Sequence, residues 1–201
     1  MQNTITGYEP KHYSSIERIV ARLNRSVSDL NEQAKLAKLT EALEHKQKIL
    51  QRDYHLALDA MKLYLSQCES LHAISLSLVS EYTSTPKHRV SKRRLLFNEK
   101  ENNFKELSRA LQYYFNAKST KDDAEEGLRE VQTLLEDYSP SIEYTNNYHM
   151  LAELEYNPLV TSLNSALGTS FPTINLDGPA EFLGTFTIDE QTETDENENC
   201  N

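Results

Sequence analysis

The residues that could do chemistry are few and scattered. Six histidines stand at positions 12, 45, 55, 72, 88 and 149, and no two form a His-x-x-x-His pair. Cys68 and His72 lie one helical turn apart, a spacing that can offer two ligands to a metal. No second pair with that spacing completes a shell, so a seam cysteine beside a surface histidine is the better reading. Asp122, Asp123, Glu125 and Glu126 place four carboxylates within five residues. On a helix they point around the axis instead of converging on one ion, which favours a solvated face. Gly-x-Ser-x-Gly, P-loop and dinucleotide fingerprints are missing, and five glycines in 201 residues leave little material for a phosphate-cradling loop. No catalytic, cofactor-binding or metal-ligating residue is expected, and the chain is not expected to be an enzyme.

Charge is concentrated at one place. Lys87, Arg89, Lys92, Arg93 and Arg94 put five positive charges into eight residues. A solvated helix start at an exposed bend accounts for about half of the expectation. A nuclear-import signal or contact with an anionic surface shares most of the rest. Thr85-Pro86 beside this cluster has the form of a proline-directed kinase site, where a phosphate would partly neutralise the cluster and cap the next helix. A plain loop threonine is the favoured alternative.

These residues hang on a long periodic chain. About seventy residues, from His12 to Tyr82, contain neither Gly nor Pro. As one helix they would run roughly 105 Å at about 1.5 Å per residue, and such a rod needs other helices to cover its apolar stripe. Ser14 and Glu17 form a capping-box pattern at its start. Ile16, Val20, Leu23, Val27, Leu30, Ala34 and Ala37 then follow at alternating steps of four and three, the signature of a coiled-coil seam. The phase slips near Ala34–Leu43, where Leu36, Leu39 and Leu43 take over. Strict spacing resumes through Leu50, Tyr54, Ala57, Met61, Tyr64, Cys68, Leu71, Ser75, Leu78 and Tyr82.

Thr85-Pro86 ends this helix. A second helix is expected over 90–137, with the seam Phe97, Phe104, Leu107, Leu111, Tyr114, Ala124, Leu128, Val131 and Leu135. A weak point or kink is expected at 116–127, where charges and Gly127 interrupt the pattern. Ile142–Tyr156 reads as a third helix with Leu151 and Leu154 inward. Asn157 reads as the N-cap of a fourth, which starts at Pro158 and is capped by Gly168.

The segmentation is therefore a disordered lead (1–11), a long helix (12–83), a basic turn (84–94), a second helix (90–137), two short helices (141–168) and an extended, largely disordered acidic tail (169–201). The fold class is all-α, a long coiled-coil or helical hairpin. No internal repeat stands out. Phe171, Ile174, Leu176, Phe182, Leu183 and Phe186 are too many large apolar residues for a linker. They either fold back on the helices or dock on a partner, and the two readings are equally weighted.

Residues 1–100 carry 16 bases and 11 acids, whereas from Asp122 onward there are 18 acids and one base, Arg129. This balance disfavours broad nucleic-acid binding. Two cysteines, Cys68 and Cys200, give no disulfide framework, and neither a secretory h-region nor a membrane-spanning run is present. An intracellular protein, nuclear or cytoplasmic, is expected. By class-level analogy the chain reads as a non-catalytic scaffold or adaptor in a kinetochore-, coactivator- or tether-like assembly. Its partners would be other helical subunits, in a hetero-oligomer rather than a homodimer. The expected partner interface comprises Val20, Leu23, Val27, Leu30, Leu50, Ala57, Met61, Tyr64, Leu71, Leu78, Phe97, Phe104 and Leu111. The alternative is a BAR-type membrane-binding dimer, against which the acidic C-terminal half argues.

Overall fold

The computed structural model describes residues 3–5 and 13–188. The expectations for the rest of the lead and for the acidic tail from Asp189, Cys200 included, lie outside the described residues. The element order is β1 (Asn3–Ile5), α1 (Tyr13–Ser84), α2 (Val90–Leu135), α3 (Ser141–Leu151), a π-helical turn (Ala152–Tyr156), α4 (Asn157–Leu167) and β2 (Phe186–Ile188). The all-α class and the long helical hairpin are as the periodicity demands. Two local expectations are corrected at the start of the chain. Asn3–Ile5 is a strand, with Ile5 buried, and not part of a disordered lead. Ser14 lies inside the first turn of α1, so it does not occupy the capping position.

The chain divides into two units, one made of residues up to Ala42 and from Tyr138, the other of Leu43–Asp137. The phase slip at Ala34–Leu43 falls at this boundary. The seam changes phase where the element covering it changes.

In the first unit the whole leading seam, Ile16 through Ala37, is buried. It packs against Tyr148, Ala152, Tyr156, Val160 and Leu163. Four of these five are spaced by four residues, a run that drifts off one face of a regular α-helix. The π turn corrects the drift: the Asn157 N–H donates to the Ala152 carbonyl, five residues back. The same wide turn precedes Pro158, whose ring would crowd the carbonyl four residues earlier in a regular helix. Hence Tyr156 and Asn157 keep right-handed helical backbones (φ -70° and -61°), and the expected helix break and N-cap at Asn157 are absent. The inward positions also shift. Leu154 is 69% exposed, whereas Leu151 packs against the core as expected, together with Tyr148, Ala152 and Tyr156. Gly168 does end α4 in the left-handed conformation, at φ 65°.

Ser26 Oγ is buried in this unit without a hydrogen-bond partner. Ser26→Ala removes that unpaired hydroxyl and is expected to raise stability by about 1 kcal/mol, read as a higher melting temperature.

In the second unit α1 and α2 run antiparallel. Leu50 lies against Gly127, the Tyr64 and Tyr113 rings stack at 5.3 Å, and Asn103 donates to the Leu71 carbonyl at 3.0 Å. The seam that α2 turns inward is Leu96, Asn103, Ala110, Ala124 and Val131, on one seven-residue register. Small side chains on that register let the two backbones approach closely. α2 runs without interruption through 116–127, where a weak point or kink was expected. Gly127 is accounted for by packing: a Cβ there would stand 3.2 Å from both Leu50 δ-carbons. Gly127→Ala trades about 1 kcal/mol of helix propensity against that contact and is expected to be close to neutral. Gly127→Leu overpacks the hairpin and is expected to cost about 1–3 kcal/mol in chemical denaturation.

Candidate interaction sites

The C-terminal segment folds back on the helices of the first unit. Phe186 is buried, and Phe171, Ile174, Leu176 and Leu183 pack on the core. The expectation of a largely disordered 169–201 is thus overturned for residues 169–188. Phe182 is the exception among the named residues: its ring is exposed, with the Lys38 ammonium 4.6 Å above it.

Four asparagines hold the segment by its backbone. The Asn24 carboxamide donates to the Phe186 carbonyl (2.9 Å) and accepts the Phe186 N–H (2.8 Å). Asn31 does the same at Leu183, at 3.0 and 2.7 Å. Asn157 does so at Ile174, at 3.1 and 2.8 Å, and Asn164 at Phe171, at 2.9 and 2.8 Å. Each pair of asparagines is seven residues apart on its helix, and each pair of clamped residues is three apart on the segment.

The match is metric. Seven helical residues rise about 10.5 Å, and three extended residues span about 10 Å, so two carboxamides on one helix face meet two peptide units in register. Phe171-Pro-Thr-Ile174 and Leu183-Gly-Thr-Phe186 are the two clamped stretches. They form a short repeat, visible only once its clamps are known. Tyr148 donates its hydroxyl to the Glu181 carbonyl at 3.0 Å, and His149 Nε2 lies 2.8 Å from the Gly178 carbonyl. Burial pushes the Tyr148 and Tyr156 phenols above their ordinary pKa. Parallel pairing of β1 with β2 closes the segment, with Asn3 opposite Phe186 and Ile5 opposite Ile188.

A second surface lies on the hairpin unit. Val90, Phe97, Phe104 and Leu111 recur at intervals of seven along α2 and are all exposed, Phe104 by 66%. This stripe sits one residue beyond the inward seam, so α2 carries two seams and the hairpin consumes one. Phe97, Phe104 and Leu111, expected in the partner interface, are thus outside the intramolecular seam. On α1 the expected partner residues pack within the chain to different degrees. Val20, Leu23, Val27 and Leu30 are core of the first unit. Ala57 and Leu71 are buried, and Leu50, Met61, Tyr64 and Leu78 half-buried, in the second.

The basic turn is partly engaged. Lys92 pairs with Glu81 at 2.8 Å, and the Arg93 guanidinium lies 4.4 Å over the Tyr82 ring and lowers its phenol pKa. Lys87, Arg89 and Arg94 are exposed. Thr85 is buried and donates its hydroxyl to the Glu81 carbonyl at 2.7 Å, finishing α1. That geometry disfavours its use as a kinase site. Among the acids at 122–126, Glu125 bonds Lys121 (2.8 Å) and Arg129 (2.6 Å), which hold its carboxyl below the usual range. No group of three or more metal-ligating side chains converges among the described residues. Cys68 packs with Leu71 and Ala110 in the hairpin core, while His72 is exposed. No helix among the described residues is long and apolar enough to cross a membrane.

Sequence reasoning missed Asn24, Asn31 and Asn164, and gave Asn157 a capping role in place of its contact with Ile174. Their signal was two Asn-x6-Asn pairs facing two pairs of apolar residues three apart. Compared with known proteins, the chain matches no family model, no curated protein and no solved structure.

Proposed function

We propose that the chain is a non-catalytic helical subunit of a multiprotein assembly, and that a partner helix packs along the outer seam of α2. The observation that carries this reading is the exposed register Val90, Phe97, Phe104 and Leu111. A seven-residue spacing of large apolar side chains is the pattern that receives a coiled-coil partner, and exposed patches of this kind mark protein contacts. The hairpin unit holds fifteen basic and fifteen acidic residues, so its attraction for a partner is apolar and not driven by net charge. The mechanism is geometric: the hairpin sets the spacing and register of what binds it. A setting in the nucleus or cytoplasm belongs to the same proposal.

The test is the solution mass of the chain expressed alone, by light scattering after size exclusion. The wild-type chain is expected to associate or aggregate. Phe97→Asp with Phe104→Asp is expected to give a monomer of unchanged helix content, because both side chains are already outside the intramolecular seam. A monomeric wild-type chain, or association unchanged in the double variant, would sink this reading.

A further inference from the structure

We propose that the partner on the outer seam of α2 is α2 of a second copy of this chain, packed antiparallel. In that register Arg94 faces Glu125, Glu101 faces Lys118 and Phe104 faces Phe115. The inference rests on the proposed function, whose outer seam it takes as the contact, and it names what covers that seam.

The outer seam is richer than its apolar stripe. A second set of residues, Arg94, Glu101, Ser108, Phe115 and Asp122, also recurs every seven positions and is exposed. It interleaves with Val90, Phe97, Phe104, Leu111, Lys118 and Glu125 at alternating steps of four and three, the pattern of a coiled-coil seam. α2 holds one seven-residue register against α1 from Leu96 to Val131, so both outer sets keep to one side of the hairpin over that length. Val79 of α1 lines the same cleft as Phe97, Glu101 and Phe104, so an incoming helix meets both helices of the hairpin.

Charge selects the occupant and its direction. In an antiparallel pair, residues of one set face residues of the other. Arg94 and Glu101 stand seven apart on one set, and Lys118 and Glu125 stand seven apart on the other, both with the base first. Antiparallel pairing of identical helices therefore matches both pairs of opposite charge at once, and the two-fold axis repeats them. Sliding the register by one heptad sets Arg94 against Lys118 in one direction and Glu101 against Glu125 in the other. A parallel two-fold pair sets each charge against its own copy. Among the described residues Arg94, Glu101 and Lys118 make no ion pair within the chain, while Glu125 is held by Lys121 and Arg129 on its own helix.

The other layers accept this register. Ser108, opposite Leu111, already donates its hydroxyl to the Phe104 carbonyl at 2.9 Å, so it brings no unpaired donor into the contact. The least favourable layer is Phe97 with Asp122, whose exposed carboxylate keeps its ion pair with Lys121 at 3.2 Å.

The experiment measures the mass of the full chain by sedimentation equilibrium, with helix content followed by circular dichroism. The wild-type chain is expected to be a dimer. Glu101→Lys alone and Lys118→Glu alone each set like charges against one another twice, and each is expected to weaken dimerisation about a hundredfold. An equimolar mixture of those two chains restores every pair, as does one chain bearing both changes, and both are expected to return to the wild-type mass. A variant that merely unfolds cannot imitate that rescue. A monomeric wild-type chain, or a dimer indifferent to Phe97→Asp with Phe104→Asp, removes the outer seam as a contact and this proposal with it. Association that the phenylalanine pair abolishes, but that forms no discrete dimer or shows no rescue between the charge variants, overturns the second copy alone and leaves the seam to another protein.

Discussion

Asn24→Ala combined with Asn31→Ala is expected to release the C-terminal segment from α1 while leaving the helical hairpin intact. The pair removes four hydrogen bonds and strands the N–H and C=O of Leu183 and Phe186. Phe186 is buried, so its groups cannot simply turn to water. A buried polar group left unpaired costs about 1–3 kcal/mol, which puts the double variant about 2–6 kcal/mol below the wild type for this unit. Hydrogen exchange at the Leu183 and Phe186 amides reads the effect directly, and their protection should collapse before that of Ile174. Asn31→Asp separates the two halves of a clamp. The carboxylate still accepts the Leu183 N–H but has nothing to donate to the carbonyl, so its loss should be intermediate. Unchanged exchange in the alanine pair would show that apolar packing alone holds the segment.

A larger effect is expected from Val27→Asp with Leu30→Asp. Both side chains are fully buried in the first unit, facing α3 and α4 through a core that includes Tyr148, Tyr156 and Val160. The residues clustered around both positions are apolar. Each introduced carboxylate must be desolvated without a partner, at about 3–5 kcal/mol or more. Together they reach the whole stability of an ordinary domain, about 5–15 kcal/mol. The expected result is loss of the near-ultraviolet tyrosine signal from this unit and of the protection at Phe186. Phe97→Asp with Phe104→Asp, chemically the same change on an exposed stripe, should leave both in place. A folded first unit in the Val27, Leu30 variant would show that this seam faces outward.

The contrast between those two pairs shows what periodicity can and cannot say. The seam from Ile16 to Ala37 was legible because a 4-3 repeat has one physical meaning, an apolar line needing cover. What covers it was not legible. Tyr148, Ala152, Tyr156 and Val160 run at four-residue steps that fit a helix only through a π turn, and nothing in the local sequence except Pro158 hints at one. On α2 the inner seam is made of Leu96, Asn103, Ala110 and Ala124, two of them small and one polar. The larger Phe97, Phe104 and Leu111 stand one position on, outside the intramolecular contact, so the periodicity marked the outer seam and passed over the inner one. Hydrophobicity ranks residues by transfer free energy, while close helix packing selects for size. The ends of α1 and α2 and the Gly168 cap were read within two residues because they depend on local chemistry, while the break expected at Asn157 is bridged by the π turn. The asparagine clamps depend on residues up to 162 positions apart, and a solvated Asn on a helix surface looks the same in sequence.

The pairing of β1 with β2 has a mechanical consequence. The strands are parallel, Asn3 opposite Phe186 and Ile5 opposite Ile188. Tension entering ahead of Asn3 and leaving beyond Ile188 therefore pulls them past each other along their length. Loaded this way, the ladder bonds share the force and must fail together, whereas an antiparallel pair pulled from its open end would unzip one bond at a time. The Asn24 and Asn31 clamps lie on the loaded strand and the residues just before it, so they add to the resistance. A chain drawn out by its ends would meet this clasp first, and the long helices would bear the load only after it had slipped.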